Sequence, residues 1–185
     1  MNAFVDISNT ILETTRLILR PWQESDLKDL YEYASVDGVG QMAGWNPHVN
    51  MDESKEILDM FIREKKVFAI VCKENNKVIG SLGLESGERK YAEGLENKVG
   101  REIGYVLSKD YWGLGLMPET VERIIQYAFN EKGWDFLLCG HYVENIQSRR
   151  VIEKSGFKFI KDMEYENRIG QKKQGKLYIL EKERK

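Results

Sequence analysis

The stretch best placed to do chemistry runs from Ile103 to Met117. An apolar segment, Ile103 to Leu107, leads through Ser108 to Tyr111 into Trp112-Gly113-Leu114-Gly115-Leu116-Met117, with Pro118 following. The apolar segment reads as a strand and the glycines as a turn. Pro118 reads as the first residue of a helix, where its missing N–H has no acceptor to lose. A strand, a glycine loop and a helix start in one piece suit an anion. The first helical amides are free, the helix dipole is positive there, and glycine admits a phosphate close to the backbone. The same glycines would also serve a plain tight turn. Position 118 is Pro where a dinucleotide fingerprint needs Gly, and no Gly-Lys-Ser/Thr follows for a triphosphate loop.

A second polar stretch, Asn145 to Phe157, carries Asn145, Gln147, Ser148, Arg149 and Arg150 ahead of a closing Gly156. Asn145 reads as the N-cap of a helix, bonding the N–H of Gln147 or Ser148, and Gly156 as its C-terminal glycine. Ser148 is either a reactive hydroxyl or a core-facing serine bonded to a helix carbonyl. His141, with an intrinsic pKa near ~6.5, could exchange a proton near neutrality, and reads first as a satisfied strand histidine. His48 and His141 stand apart from any ligand spacing, so no metal is expected.

The elements that must position these groups follow from periodicity. Leu17 to Arg20 alternates as a short strand closed by Pro21 and Trp22, with Arg16 and Arg20 on one face. Ser25 and Asp26 open a helix with the stripe Leu27, Leu30, Tyr31, Ala34, which the segment Asp37 to Gly40 stops. Residues 41–51 read as irregular with an exposed aromatic, Trp45, and Asp52 as the cap of a helix reaching Glu64. Val67 to Cys72 and Val78 to Leu84 form a hairpin, Gly80 and Gly83 permitting close backbone approach. The polar connection Glu85 to Lys98 precedes the central strand, Val99 to Leu107. Alternation sets Glu102, Gly104 and Val106 on one face and Ile103, Tyr105 and Leu107 on the other. From Pro118 the stripe Val121, Ile124, Ile125, Ala128, Phe129 makes a helix that Gly133 ends, and Phe136 to Val143 returns as a strand. Residues 157–160 and 176–180 read as a final edge hairpin around a basic loop, Arg168 to Lys176, whose charges discourage further pairing.

With 185 residues, 42% hydrophobic and 31% charged, the chain suits one domain, residues 1–185 with a core from about 14 to 181. A formal charge of −2 with both signs interspersed argues against direct nucleic-acid binding or an anionic membrane partner. No run nears the ~18 apolar residues of a bilayer span, and the first ten residues lack the pattern of an export signal. Cys72 and Cys139 each sit in an apolar run, which reads as buried reduced thiols, and the cytoplasm is the expected compartment.

The Ile103–Met117 stretch, the Asn145–Phe157 stretch and Thr15 to Pro21 together resemble the GNAT family of acyl-CoA N-acyltransferases, in particular its RimJ/RimL-like branch, over nearly the whole chain. The resemblance implies a single α/β (α+β) domain with a mixed, mostly antiparallel central sheet flanked by helices and a splayed strand pair for the cofactor. It implies an N-acetyltransferase using acetyl-CoA, by direct transfer in a ternary complex, on a primary amine: a protein N-terminus, as in ribosomal-protein acetyltransferases, or a small amine. Trp112, Gly113, Leu114, Gly115, Leu116 and Met117 match the family's pyrophosphate loop, with Trp112 in place of a polar first residue and Met117 in place of a small last one. Val106 and Leu107 would face the pantothenate arm, a Val106 N–H polarising the thioester, and Asn145 would touch the same arm. Glu102 stands where relatives often supply a carboxylate base. Ile152 occupies the position of the tyrosine acid of many relatives, which leaves Ser148 as the substitute. Trp45, with Tyr105 and His141, is assigned to the acceptor, Trp45 also reading as a plug beneath its loop. A homodimer is admitted. The competing readings are a non-catalytic acyl-CoA-binding module and a different phosphate-ligand enzyme on the same loop.

Overall fold

Leu17 and Leu19 are fully buried while Ile18 and Arg20 are only partly so, the two-residue alternation that makes this segment a strand. Val67 to Cys72 is buried at every residue, as a strand covered on both faces must be. The structure is a computed structural model and describes residues 2–87, 94–167 and 169–183. In chain order its elements are β1 (Leu12–Glu13), β2 (Leu17–Pro21), α1 (Leu27–Ala34), α2 (Met51–Glu64), β3 (Val67–Cys72) and β4 (Val78–Glu85). There follow β5 (Gly100–Leu107), α3 (Leu116–Gln126), β6 (Phe136–Tyr142), α4 (Ile146–Lys154), β7 (Lys158–Glu166) and β8 (Lys172–Glu181). The strands make one eight-stranded mixed sheet, ordered β1-β2-β3-β4-β5-β6-β8-β7 and flanked by helices, the expected α/β class.

Packing groups the chain into two units: Val5–Gly83 with Tyr105–Thr120, and Met1–Phe4 with Leu84–Gly104 and Val121–Lys185. In the first, β2 and β3 pair antiparallel from Leu17↔Cys72 to Pro21↔Phe68, and β3 and β4 form the expected hairpin. Its core gathers Trp22, Leu30, Tyr33, Ala34, Val39, Leu58 and Val67, so α1 and α2 both give their apolar stripes to it. Gly80 is needed there, because a Cβ on it would lie 2.3 Å from the Val106 carbonyl oxygen. Asp26 is buried beside Arg20 in a two-pronged ion pair of 2.7 and 2.8 Å and also accepts the Gln23 N–H. The α1 helix stops at Ala34, ahead of the expected Asp37 to Gly40.

In the second unit β5 runs parallel to β6 from Gly100↔Phe136 to Ile103↔Cys139, and β8 pairs antiparallel with both β6 and β7. Phe136, Leu138, Leu95, Met163 and Leu177 form its apolar cluster. The helix that α3 begins widens into a π-turn, Tyr127–Glu131, closed by Lys132 N–H to the Tyr127 carbonyl at 2.9 Å. Gly133 follows with φ +68°.

Three sequence expectations are corrected here. Asn50, not Asp52, caps α2: its side chain accepts the Glu53 N–H at 2.9 Å. Pro118 is the third residue of α3, which starts at Leu116, because the whole first turn lacks acceptors for its amides and tolerates proline throughout. β7 and β8 form the expected hairpin at one edge of the sheet, with β7 outermost. Most of the supposed basic loop is strand, with Lys176 opposite Asp162 and Lys172 paired with Glu164, so that cross-strand charges sustain the ladder. Arg168, and residues 88–93 of the connection before the central strand, fall outside the described residues.

Candidate active site

The glycine loop is built from both ends. Leu107, the last residue of β5, is buried, and its carbonyl accepts the indole N–H of Trp112 at 2.8 Å. A 3₁₀ turn, Lys109–Tyr111, intervenes, tied to β4 by Ser108 N–H on the Ile79 carbonyl at 2.7 Å. Trp112 packs against the core of this unit, so the residue that departs from the polar family position anchors the start of the loop. At the other end Leu116 and Met117 bury their side chains, and Gly115 offers its carbonyl to the Glu119 N–H at 3.3 Å, the first bond of α3.

Between these anchors Gly113 and Gly115 have φ of +77° and +75°, conformations that L residues rarely adopt. A Cβ on Gly113 would meet nothing within 4 Å, and one on Gly115 would find its nearest neighbour in Arg16 Nη2 at 3.7 Å. The backbone here is exposed. Glycine at the head of α3 brings no side chain to cap it, and Pro118 contributes no N–H. Helix geometry therefore leaves the amides of Gly115, Leu116 and Met117 for an outside acceptor. A loop of this kind fits the diphosphate of coenzyme A.

Three residues around the loop escaped sequence reasoning. The Glu119 carboxylate accepts the Thr14 hydroxyl at 2.6 Å, the Arg16 amide at 2.9 Å and Arg16 Nε at 2.7 Å, while Arg16 Nη1 donates to the Leu114 carbonyl at 2.9 Å. Burial pushes the Glu119 carboxyl upward, and the donors from Thr14 and Arg16 together outweigh it, holding the group below its ordinary range. Arg16 was visible as part of a motif, but its partner lies 103 residues along the chain.

Val106 and Tyr105 occupy the last turns of β5, both partly buried, Val106 against the core of the loop-bearing unit. Trp45 is partly buried, correcting the expected exposure. It packs on the same core, lies over Gly40 and stacks 5.1 Å from the His48 ring. His48 bonds Ser54 Oγ through Nδ1 at 2.7 Å, and burial holds its pKa below the ordinary value.

The other sequence-derived residues belong to the second unit. Glu102 is partly buried on β5, close to Gly87. Asn145 caps α4 by accepting the Ser148 N–H at 3.0 Å, one of the two bonds expected of it. Ser148 is partly buried one turn into the helix, and Ile152 is buried at 1% exposure. His141 is buried, its Nδ1 2.7 Å from the Tyr142 carbonyl, which can only accept, so the proton sits on Nδ1. Its Nε2 is then free to accept from the Tyr178 hydroxyl at 3.4 Å. Those contacts satisfy the ring as a strand histidine. β5 continues four residues past its last registered pair with β6, Ile103↔Cys139, to Leu107.

Cys72 and Cys139 are buried free thiols. Among the described residues no group of three or more His, Cys, Asp or Glu is placed to hold a metal, and no helix is long and apolar enough to cross a membrane.

Comparison with known proteins places this architecture. Residues 16–158 match the family model described as an acetyltransferase (GNAT) domain. The chain is similar to the uncharacterised N-acetyltransferase p20 of Bacillus licheniformis, 26% identical over 152 residues that cover 79% of this chain and 81% of p20. In structure it resembles a GNAT-family acetyltransferase of Bacillus anthracis, with TM-score 0.79, 18% identity and coverage of 93% and 98% of the two chains. It also resembles the Salmonella typhimurium acetyl transferase that modifies the N-terminal serine of ribosomal protein L7/L12, with TM-score 0.73, 18% identity and coverage of 94% and 100%.

Proposed function

The chain belongs to the GNAT acetyltransferase family, and on that premise we propose that it moves the acetyl group of acetyl-CoA directly to a primary amine within a ternary complex. The observation that carries the reading is the open loop Gly113–Gly115, with positive φ at both glycines and a helix that starts directly after Gly115. Charge-assisted bonds from backbone amides to an anion contribute about 1.5 to 3 kcal/mol each, so a few of them anchor the diphosphate. Trp112 serves through its packing and its indole bond to the Leu107 carbonyl rather than through a contact with the cofactor, and Gly113, Leu114, Gly115, Leu116 and Met117 serve through their backbone.

When bound, acetyl-CoA supplies a thioester whose carbonyl carbon takes the amine nitrogen as the C–S bond breaks. The acceptor arrives as an ammonium, and Glu102 takes its proton directly or through a water. The Val106 N–H polarises the carbonyl oxygen as charge develops there, and Leu107 lies along the pantothenate arm. Ser148 gives its hydroxyl proton to the leaving thiolate and is reprotonated, directly or through water, by the second proton that the acylated nitrogen loses. Asn145, engaged as a cap through Oδ1, is also assigned to the pantothenate arm. Trp45, Tyr105 and His141 are assigned to acceptor contacts. The acceptor is a protein N-terminus or a small amine, and likeness to an enzyme that modifies a ribosomal-protein serine supports the first.

A non-catalytic acyl-CoA-binding module is the second reading, favoured by Ile152, buried where many relatives carry the acid. Acetyl-CoA consumption with thiol release, measured against amines and peptides of differing N-terminal residue, tests both. Turnover with one class supports the enzyme. Binding by calorimetry without turnover on any amine supports the module, and no binding at all removes the loop assignment.

A further inference from the structure

The peptide between Leu114 and Gly115 is trans and planar, so its C=O and N–H point in opposite directions. Arg16 Nη1 holds that C=O at 2.9 Å, which fixes the direction of the Gly115 N–H as pointing away from the guanidinium. The same side chain is itself held. Nε and Nη2 both reach Glu119 Oε2 at 2.7 Å, while the Arg16 amide and the Thr14 hydroxyl occupy Oε1. Glu119 stands in the first turn of α3, where an unneutralised carboxylate would repel an approaching phosphate. Paired with Arg16, it does not.

We propose that Arg16 and Glu119 are positioning residues that preset the Leu114–Gly115 peptide and cancel the charge at the head of α3, so that the loop meets the cofactor's diphosphate already ordered. The inference rests on the acetyl-CoA reading above and adds to it residues that touch neither the acetyl group nor the acceptor. Thr14 completes the arrangement by filling the carboxylate oxygen that Nε leaves open. Preordering of this kind improves affinity by removing the ordering cost from the binding step.

The test pairs calorimetry with hydrogen exchange on the intact protein. Arg16→Ala is expected to raise the acetyl-CoA Kd about tenfold. In the ligand-free protein it is expected to speed amide exchange within residues 112–117 while the rest of the unit keeps its protection. Glu119→Gln, which keeps one acceptor oxygen, turns the other into a donor and loses the charge, is expected to shift both readouts in the same direction. An Arg16→Ala protein with unchanged affinity overturns the proposal. Weakened affinity with unaltered exchange in the free loop also overturns it, since that pattern belongs to an arginine that touches the phosphate directly. So does exchange that rises across the whole unit, which marks a folding defect. A wild-type protein that fails to bind acetyl-CoA is recognised before any substitution is made, and it removes the functional reading together with this one.

Discussion

The heads of α2 and α3 lie in the same unit and are built in opposite ways. Asn50 closes the first with its own side chain on the Glu53 N–H, and Glu53 reaches back to the Val49 N–H at 2.8 Å, so two amides are satisfied within five residues. The second begins on Gly115, which has nothing to reach with, and its nearby charge is already spent on Arg16. A self-capped helix start is finished structure. One capped by glycine beside an exposed loop leaves its amides to a ligand. The α4 helix stands between them, since Asn145 caps it with a side chain that is also assigned to the cofactor.

The strongest way to break this contrast is Gly115→Val. A left-handed φ costs an L residue about 1–2 kcal/mol, and a β-branched one more, so the exposed loop is expected to relax to another path, raising the acetyl-CoA Kd about tenfold or beyond while the melting temperature falls by no more than a few degrees, on the order of the strain left unrelieved. Calorimetry and a thermal scan on one sample check both halves. Asn50→Ala should do the reverse. It removes about 1 kcal/mol of stability and leaves acetyl-CoA affinity alone, and a changed Kd would mean that the head of α2 also serves the ligand. Asn145→Ala sharpens the intermediate case: the same loss of stability accompanied by weaker acetyl-CoA binding would assign both roles to one side chain, and stability loss alone would leave it a cap.

Smaller effects come from pH. Burial depresses the His48 pKa from its ordinary 6.5, so His48 contributes stability that is fully present above that value and is lost as the pH falls below it. Thermal scans from neutral pH downward should show part of this loss disappear in His48→Gln. At the head of α3 the Glu119 carboxyl is held below its ordinary 4.5, so its share persists above that value and is lost only as the pH falls lower, through the depressed pKa. Mild acid should therefore disturb the surroundings of His48 before it disturbs the glycine loop, and exchange rates of the two segments at pH 5.5 against pH 7.5 would show the order.

Much of this was legible in the sequence where a local rule applies. Alternation located β2, and the stripe from Val121 to Phe129 located the body of α3. The Asn145 cap and the Gly156 stop of α4 were readable from residue type alone, and the structure gives Gly156 φ +84°. Asp52 reads as the cap where Asn50 serves, because both are short polar side chains ahead of one apolar stripe. The charged ends of β7 and β8 read as loop because their partners lie across the strand and not along the chain. The π-turn at Tyr127–Glu131 has no composition of its own to betray it. Of the candidate site, the glycines were evident from their φ requirement. The Arg16–Glu119 pair was not, because separation along the chain hides it from any periodicity.

The position of β8 bears on how the protein is made. Phe136 to Tyr142 and Lys158 to Glu166 are translated first, yet neither pairs with the other: each waits for Lys172 to Glu181 to come between them. While that last strand is still inside the ribosome, β6 presents an unpaired edge to solvent and to any neighbouring nascent chain. Release of the C-terminal segment is thus the event that closes this half of the sheet, and a stop codon before Lys172 would leave a template for aggregation where the finished chain has a ladder.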